Sequence, residues 1–223
     1  MQVLVTGNEG DNDLGLVGSA LAGLGARPKF VVREAVGAWP TLDGFDLVVS
    51  LGSECSAYSP AVQTAVEAEC ALLRTAHERG MAVFAICFGS QLLAQALGGV
   101  VERSPLPELG WYGVTPTDAA DAGIAPGPWF QWHYDRWLAP PEAEVLARSP
   151  ISNQAFRLGR SVGVQFHPEV TTAVVEQWVG GNGAAELARL GLDREALLAR
   201  CITEAPAAAE RTNALIAFLA RQW

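Results

Sequence analysis

The stretch Met81–Gln95, MAVFAICFGSQLLAQ, places the tightest constraint on how this chain can fold. It opens as an unbroken apolar run, which predicts a strand buried on both faces, and it continues as the start of a helix. Cys87 stands at the junction between the small residues Ala85 and Gly89, which suit a sharp strand-to-helix turn because bulk there would clash. Such a turn brings the thiol near the free N–H groups of the new helix, which favour a thiolate. The pattern leaves two interpretations of Cys87 open, a nucleophile or a buried structural cysteine.

Composition narrows the range of functions. The chain has 223 residues, is 50% hydrophobic and carries a formal net charge of −9. One α/β domain can have this length and bury a sizeable core. The negative charge and the single lysine, Lys29, argue against a nucleic-acid partner. No apolar run reaches membrane length and no secretory leader precedes the first strand, so we expect no membrane association and a cytoplasmic location.

The four cysteines lack the pair spacing of a metal site or of a disulfide framework, which agrees with a reducing compartment. We expect Cys55, Cys70 and Cys201 to be bystanders. The three histidines are scattered, so no metal site is predicted. No organic cofactor is expected either, because a thiol can carry out the chemistry considered below by itself.

The first ninety residues alternate between apolar strands and amphipathic helices, which predicts a parallel, doubly wound sheet with helices on both faces. In such sheets the chemistry gathers beyond the carboxyl ends of the strands. The loops Gly7–Asp13 and Gly52–Ser59 should therefore lie beside Cys87. The predicted strands are Gln2–Thr6, Phe30–Arg33 and Asp46–Leu51, and the predicted helices are Leu14–Leu24 and Pro60–Gly80.

From Val100 onward the sequence pattern changes to short strands joined by Pro- and Gly-rich turns. This pattern predicts a more antiparallel portion folded onto the same core. A helical tail follows from about residue 171, and residues 1–223 are expected to form a single domain. The predicted strands are Val100–Arg103, Trp111–Pro116, Val145–Ala147, Ala155–Leu158 and Ser161–Phe166. The predicted tail helices are Thr171–Gly180, Ala184–Gly191 and Arg194–Gln222, with breaks at Gly180–Gly183 and Pro206.

A thiol nucleophile needs a base, and the base needs an orienting group. His167 follows a predicted strand in the segment QFHPE. Residues two apart on an extended chain point the same way, so Glu169 can lie beside His167, and Pro168 stiffens the link. A carboxylate beside imidazole holds the tautomer and stabilises the imidazolium. Cys87, His167 and Glu169 are therefore the candidate catalytic triad, whereas the segment on its own would also fit an ordinary surface turn.

The segments AICFGSQ (residues 85–91) and QFHPE (residues 165–169), in this order, resemble the class I (triad) glutamine amidotransferases. The similarity is greatest to the glutaminase domain of GMP synthase and its stand-alone relatives, and it extends over roughly residues 40–172. The resemblance implies a flavodoxin-like α/β domain that attacks the side-chain amide of glutamine. It further implies a γ-glutamyl thioester on Cys87, release of ammonia and resolution of the thioester by water.

The resemblance also suggests roles for neighbouring residues. Cys87 would attack the amide, and His167 would protonate the leaving amine and then activate water, held in place by Glu169. The oxyanion would be stabilised by the N–H groups of Phe88 and Gly52. Gly52 matches the second glycine of an SGGP-type loop that reads SLGS here, with a leucine in place of the first glycine. Gln91 matches a position that holds the amino-acid end of the substrate, although it could also be an ordinary helix residue.

The segment WHYD (residues 132–135) resembles an S-H-G-D-type element that contacts the α-groups of glutamine, which makes Trp132, His133 and Tyr134 candidate substrate-binding residues. Tyr134 and Trp132 are bulkier than the usual residues, so either the loop moves aside or the pocket accepts something other than free glutamine. His133 is an alternative base, but no carboxylate is tied to it in the sequence. The aromatic cluster Trp129, Phe130, Trp132, Tyr134 and Trp137 fits either core or a docking face for another protein.

Three functions are compatible with these features. The first is hydrolysis of glutamine to supply ammonia to a synthetase or ligase on another chain. The second is a self-sufficient γ-glutamyl hydrolase or transferase acting on a γ-glutamyl conjugate, motivated by the bulk of Tyr134 and Trp132. The third, a regulator or scaffold without activity, is disfavoured because the triad is intact.

Overall fold

The computed structural model of this chain describes residues 1–35, 39–118 and 123–223. In its first half, strands and helices alternate as the sequence predicts, and no peptide bond in the described ranges is cis. In chain order these elements are β1 (Gln2–Gly7), α1 (Gly15–Gly23), β2 (Arg27–Val32), β3 (Leu47–Ser50), α2 (Gln63–Glu78, after a 3₁₀ turn at Pro60–Val62), β4 (Ala82–Ile86) and α3 (Phe88–Ala96).

The second half supplies an antiparallel extension and a set of helices. The two strands predicted at the start of this half are one long strand, β5, which is interrupted by a bulge between Arg103 and Glu108. Strand β6 was not predicted. The elements are β5 (Val100–Pro116), β6 (Gly127–Leu138), β7 (Glu144–Arg148), β8 (Asn153–Leu158), β9 (Ser161–Val164), α4 (Thr172–Gly180), α5 (Gly183–Leu190) and α6 (Arg194–Ala220).

Among the described residues the strands form one mixed sheet of nine, in the order β2-β1-β3-β4-β9-β8-β7-β5-β6. The five strands from β2 to β9 are parallel, and the rest are antiparallel. The parallel part has the flavodoxin-like order, whose crevice opens where the strand order reverses, between β1 and β3. The fold class expected from the sequence is confirmed, and β9 returns from far along the chain to lie beside β4.

The sheet is covered on both faces because its buried strands alternate sides at every residue. Val3 and Val5 face the cluster that includes α1 and the end of α6. Leu4 faces the opposite cluster, with α2 and α3. A third cluster packs α4 and α5 against Trp111 and Phe130. No described helix has both the length and the apolar character that a membrane crossing requires.

The predicted break at Pro206 is wrong, because α6 runs through it from Arg194 to Ala220. A proline inside a helix removes one hydrogen bond and crowds the preceding turn. Here the apolar face of the helix extends over both sides of the proline, with Cys201 before it and Leu215 and Ile216 after it, all nearly or fully buried. Packing therefore outweighs the local preference.

Candidate active site

Cys87 occupies the sharp turn between β4 and α3. Its φ of 49° and ψ of −108° lie in a region that side-chain-bearing residues seldom adopt. The N–H of Cys87 donates to the carbonyl of Val164 at 2.8 Å, so the turn is fixed to strand β9. Only 4% of the residue is exposed. The strand-to-helix elbow expected from the sequence is present, and it holds the thiol in a strained, buried position.

The glycine at position 89, two residues after Cys87, has a clear steric reason. A Cβ atom added to Gly89 would lie 2.2 Å from the carbonyl oxygen of Ser50 and 2.4 Å from its hydroxyl oxygen. Both distances are far below van der Waals contact, so only glycine fits between α3 and the end of β3. This close approach brings the first turn of α3 against the loop that follows β3.

His167 and Glu169 form a buried pair at the end of β9. Nδ1 of His167 lies 2.7 Å from Oε1 of Glu169, whereas Nε2 is buried and has no hydrogen-bond partner among the described residues. Burial lowers the pKa of His167, but the charge of Glu169 and the neighbouring sulfur of Cys87 outweigh it and raise the pKa well above its ordinary value. The site therefore favours the protonated form of the imidazole.

The structure brings Cys87 and His167 together beside Gly52. A Cβ atom built on Gly52 would lie 3.7 Å from Cβ of Cys87 and 3.3 Å from Cε1 of His167. The side-chain amide of Gln165 also reaches the sulfur of Cys87, at 3.6 Å. Sequence reasoning missed Gln165, although the same alternation that paired His167 with Glu169 places Gln165 on the face of His167.

Four elements fix the backbone of the QFHPE segment, the first being β8, whose Gln154 carbonyl accepts from the N–H of Gln165 at 2.8 Å. The N–H of His167 donates to the carbonyl of Phe130 on β6, and the N–H of Leu16 on α1 donates to the carbonyl of Glu169, at 2.8 and 2.9 Å. The buried hydroxyl of Thr212 on α6 donates to the carbonyl of Pro168 at 2.8 Å. The C-terminal helix therefore supports the site directly.

An open cleft of about 780 Å³ lies over these groups. It is bordered by the loops after β1 and β3, as expected for a flavodoxin-like sheet, and by β6 and α5. Glu169 lies behind His167, outside the cleft lining. The other eight predicted site residues all line it: Gly52, Cys87, Phe88, Gln91, Trp132, His133, Tyr134 and His167.

Two backbone N–H groups are available in this cleft. Phe88 is the first residue of α3, so its N–H has no partner within the helix. The N–H of Gly52 donates to no other described residue. Gln91 is almost fully buried, and its side-chain amide donates to the carbonyl of Asp135 at 3.4 Å, which links α3 to the WHYD segment.

The expectation that His133 lacks a carboxylate is wrong. Its Nε2 lies 3.3 Å from Oε2 of Glu108, which is fully buried. The β5–β6 pairing places these two residues directly opposite each other, a relation that sequence spacing does not reveal. Both ring nitrogens are occupied, because Nε2 also meets Oε1 of Gln131 at 3.1 Å and Nδ1 meets the carbonyl of Asp135 at 3.0 Å.

Tyr134 connects β6 to the helical tail across the cleft. Its hydroxyl donates to Glu186, and the guanidinium groups of Arg103 and Arg189 lie 4.5 and 5.2 Å from its ring centroid. Burial, together with the hydrogen bond to Glu186, raises the pKa of Tyr134. Trp132, the other bulky residue of the segment, lies 6.2 Å from Trp178 between ring centroids.

The aromatic cluster divides by burial. Trp129, Phe130 and Trp137 are almost completely buried, which confirms the core interpretation for them. Trp132 and Tyr134 are only partly buried and line the cleft instead. The predicted set was therefore not one cluster, because its members divide between the core and the cleft.

The other titratable groups fit a supporting role. Burial raises the pKa of Cys70 to about 12 and also raises that of Cys201, so neither thiol is suited to nucleophilic attack near neutral pH. All four cysteines are free. Among the described residues, no group of His, Cys, Asp and Glu side chains could hold a metal ion.

A comparison with known protein families shows to which family this chain belongs. The sequence model of the family described as glutamine amidotransferase class-I matches residues 57–178, which is more than half of the chain. The chain belongs to this family. The match contains the elbow and the QFHPE segment, so the family resemblance inferred from the two motifs is confirmed, and the chain is a member of an enzyme family.

Curated relatives match over part of their length. A glutamine-hydrolysing GMP synthase from Aeropyrum pernix is 44% identical over 126 residues, which covers 50% of this chain and 24% of the relative. One from Desulfotalea psychrophila is 35% identical over 137 residues, covering 57% of this chain and 25% of the relative. The chain thus spans about a quarter of the length of these relatives.

A solved structure extends the similarity to nearly the whole chain. A glutamine amidotransferase from Thermotoga maritima superposes with a TM-score of 0.87 at 25% identity, covering 98% of this chain and 97% of that one. The fold of this member of the family, including the antiparallel extension and the C-terminal helices, is therefore shared with a glutamine amidotransferase.

Proposed function

We propose that this chain hydrolyses the side-chain amide of glutamine through a thioester on Cys87, and that residues 1–223 act as one domain. The observation that carries the proposal is the buried, unpartnered Nε2 of His167 beside a thiol on a strained elbow, while Nδ1 is held by Glu169. This is the arrangement that a general acid and base needs, since one nitrogen is oriented and the other is free to exchange protons.

The proposed steps follow from the groups at the site. The thiolate of Cys87 attacks the amide carbon, and the carbonyl oxygen becomes an oxyanion that accepts hydrogen bonds from the N–H groups of Gly52 and Phe88. His167 donates its proton to the amide nitrogen as the carbon–nitrogen bond breaks, and ammonia leaves. His167 then takes a proton from water, whose oxygen attacks the thioester, and glutamate leaves as the thiolate is restored.

The substrate's amino-acid end is assigned to the opposite wall of the cleft. Gln91, Trp132, His133 and Tyr134 line that wall, and the hydrogen bond from Gln91 to the carbonyl of Asp135 joins the two elements that carry them. We propose that these residues bind the α-amino and α-carboxylate groups of glutamine.

The use of the ammonia belongs to the same proposal. The curated relatives are GMP synthases that hydrolyse glutamine, and about three quarters of their length has no counterpart in this chain. We propose that a separate synthetase or ligase chain receives the ammonia. The cytoplasm is the compartment we propose, because four free cysteines fit a reducing environment.

A direct test measures glutamate and ammonia released from glutamine by the wild type, by Cys87→Ala and by Cys201→Ala. Cys201 lies in the helical tail away from the cleft, so its variant is the matched control for loss of a buried thiol. We expect Cys87→Ala to abolish release and Cys201→Ala to retain it. Undiminished release by a folded Cys87→Ala variant would overturn the proposal.

The size of the cleft favours a second candidate, hydrolysis or transfer of a γ-glutamyl conjugate. A volume of about 780 Å³ is in the range of pockets that hold drug-sized ligands, larger than one amino acid needs. Comparing kcat/KM for glutamine and for γ-glutamyl amines separates the two candidates. Preference for the conjugates would favour the second candidate.

A scaffold without activity predicts that a chloroketone analogue of glutamine does not label Cys87.

A further inference from the structure

A buried ion pair lies beneath the cleft and takes no part in the proposed chemistry. Arg33 follows strand β2, and Glu69 belongs to α2; they are 3% and 0% exposed, and Nε of Arg33 lies 2.5 Å from Oε2 of Glu69. Removing two charges from water costs several kcal/mol per ion, and a buried pair is often no more stabilising than apolar residues. Its presence beside the site therefore calls for a reason other than stability.

Glu69 connects the pair to the two strands that border the cleft. Its Oε1 accepts hydrogen bonds from the hydroxyls of Ser50, at the end of β3, and of Thr6, near the end of β1, at 2.7 and 2.5 Å. Both donors are fully buried. The carboxylate is consequently fixed relative to the sheet, and it fixes the guanidinium in turn.

Arg33 holds the loop that follows β3. One Nη group donates to the carbonyl of Leu51 at 2.9 Å, and the other donates to the carbonyl of Gly52 at 3.1 Å. The same guanidinium lies 4.9 Å from the ring centroid of Phe88. One side chain thus contacts both residues whose N–H groups are the proposed oxyanion donors.

Because the peptide bond is planar, the hydrogen bond to the Leu51 carbonyl also fixes the direction of the Gly52 N–H. In a trans peptide the C=O and the N–H of one unit point in opposite directions. The carbonyl of Leu51 and the N–H of Gly52 belong to the same unit. Because the carbonyl is directed at Arg33, the N–H of Gly52 is directed away from Arg33. Gly52 packs on Cys87 and His167, where the oxyanion would form.

We propose that Arg33 and Glu69 are positioning residues that set the direction of the Gly52 N–H for oxyanion stabilisation. This inference rests on the proposed function. It also accounts for the departure from an SGGP-type loop, in which Leu51 replaces the first glycine, since the loop here is held by a guanidinium fork on two carbonyls.

The test compares Arg33→Lys, Arg33→Met and Glu69→Gln with the wild type in glutamine hydrolysis. Loss of one oxyanion donor typically lowers kcat by about 10²–10³-fold, and a misdirected donor should cost up to about 10²-fold with little change in KM. Lysine keeps the charge but lacks the fork, so it should not restore kcat. Full activity of Arg33→Lys would overturn the proposal.

Two reagents separate orientation from general damage to the site. Alkylation of Cys87 by iodoacetamide displaces iodide at a saturated carbon and forms no oxyanion, so its rate should be unchanged. A γ-aldehyde analogue of glutamine forms a hemithioacetal whose oxygen occupies the oxyanion position, so its Ki should rise as kcat falls. Equal losses in both reactions would overturn the proposal by showing that the elbow itself is disturbed.

The matched control is Arg74→Met, which removes a guanidinium that donates to the carbonyl of Ala96 at the far end of α3. This variant should keep wild-type kcat. If Arg33→Met fails to fold, the double variant Arg33→Met with Glu69→Met leaves no unpaired charge and should show the same fall in kcat. A wild type that neither hydrolyses glutamine nor binds the aldehyde overturns the proposed function, whereas an active wild type matched by active Arg33 variants overturns only this inference.

Discussion

Two buried histidine–carboxylate pairs face the same cleft, and they differ in what surrounds the second ring nitrogen. His167 meets Glu169 through Nδ1, and its Nε2 has no partner among the described residues. His133 lies near Glu108, but both of its nitrogens are engaged by protein groups. The comparison teaches that a neighbouring carboxylate does not by itself make a histidine available as a base, because only His167 keeps a ring nitrogen without a protein partner among the described residues.

The two carboxylates also differ in what binds them. Glu108 accepts from Ser152 and from Gln154, each at 2.9 Å, and it is enclosed by polar side chains. Oε2 of Glu169 has no partner among the described residues, so its one close polar contact is His167. The Glu108 pair has the contacts of a structural network between strands, although Oε1 of Glu108 also lacks a partner, whereas the carboxylate of Glu169 contacts only the histidine that we propose as the base.

The largest effect that would test this difference between the two histidines is expected when each one is replaced by glutamine. General acid–base catalysis typically contributes about 10²–10⁴-fold, so we expect His167→Gln to lower kcat for glutamine by that factor. His133→Gln should keep kcat within an order of magnitude, with any loss in KM, because His133 lies in the substrate wall. Steady-state kinetics of both variants check this. Equal losses in kcat would show that the two pairs share the proton transfer.

The next largest effect separates the carboxylates. Glu169→Gln removes the charge that stabilises the imidazolium, so we expect kcat to fall by about 10²-fold and stability to be lost chiefly on the acid side, where His167 is protonated. Glu108→Gln keeps an acceptor oxygen for Ser152 and Gln154 but removes the charge that faces His133, and it should cost about 1–3 kcal/mol of unfolding free energy with a small effect on kcat. Denaturant unfolding and kinetics on both proteins measure the two quantities. A large fall in kcat for Glu108→Gln with none for Glu169→Gln would reverse our assignment.

The pH dependence of stability should differ in sign between the pairs. The pKa of His167 is raised in the folded state, so its stabilisation is complete below about pH 6.5, the unfolded value, and is lost as pH rises through the folded value. Burial raises the pKa of Glu108, but His133 outweighs burial and lowers it. That stabilisation is present above about pH 4.3 and is lost on acidification.

The test measures the unfolding free energy of the wild type, His167→Gln and Glu108→Gln as a function of pH. The difference between the wild type and each variant gives the contribution of that residue. The wild type should lose its advantage over His167→Gln on the alkaline side and over Glu108→Gln on the acid side. A His167 contribution that grew with pH would mean that the folded protein holds a neutral imidazole.

The smallest effect concerns the wall that carries His133. Tyr134→Gly removes the ring that the guanidinium groups of Arg103 and Arg189 contact and opens the cleft towards α5. We expect kcat/KM for bulky γ-glutamyl amides to rise several-fold relative to glutamine, with kcat for glutamine little changed. Paired substrate assays test this. An unchanged ratio would show that Tyr134 braces α5 without limiting the substrate.

Local patterns in the sequence account for much of the fold and of the site. The strand–elbow–helix at Cys87 and the pairing of His167 with Glu169 were predicted because both depend on neighbours within a few residues. The parallel half of the sheet followed from the alternation of elements. Sequence reasoning also predicted that the loops after β1 and β3 would border the cleft, since parallel strands end at one edge.

The features that were missed depend on partners distant in sequence. The pairing of Glu108 with His133 required the register of the β5–β6 hairpin, and the Arg33–Glu69 pair required β2 and α2 to pack on the same loop. Strand β6 was not recognised because its polar residues, among them His133 and Asp135, are buried in a hydrogen-bonded network rather than exposed. The predicted helix break at Pro206 was wrong for the opposite reason, because tertiary packing outweighed the strong local tendency of proline to end a helix.

The adjacency of β4 and β9 has a consequence for how this molecule acquires activity. Cys87 and His167, the proposed nucleophile and base, follow neighbouring strands, and the whole antiparallel extension lies between these two strands in the sequence. Closing so long a loop is slow compared with helix formation. The heightened reactivity of the Cys87 thiol should consequently return late in refolding, after the circular dichroism signal has recovered. The rate at which this thiol is alkylated would then report the last step of folding.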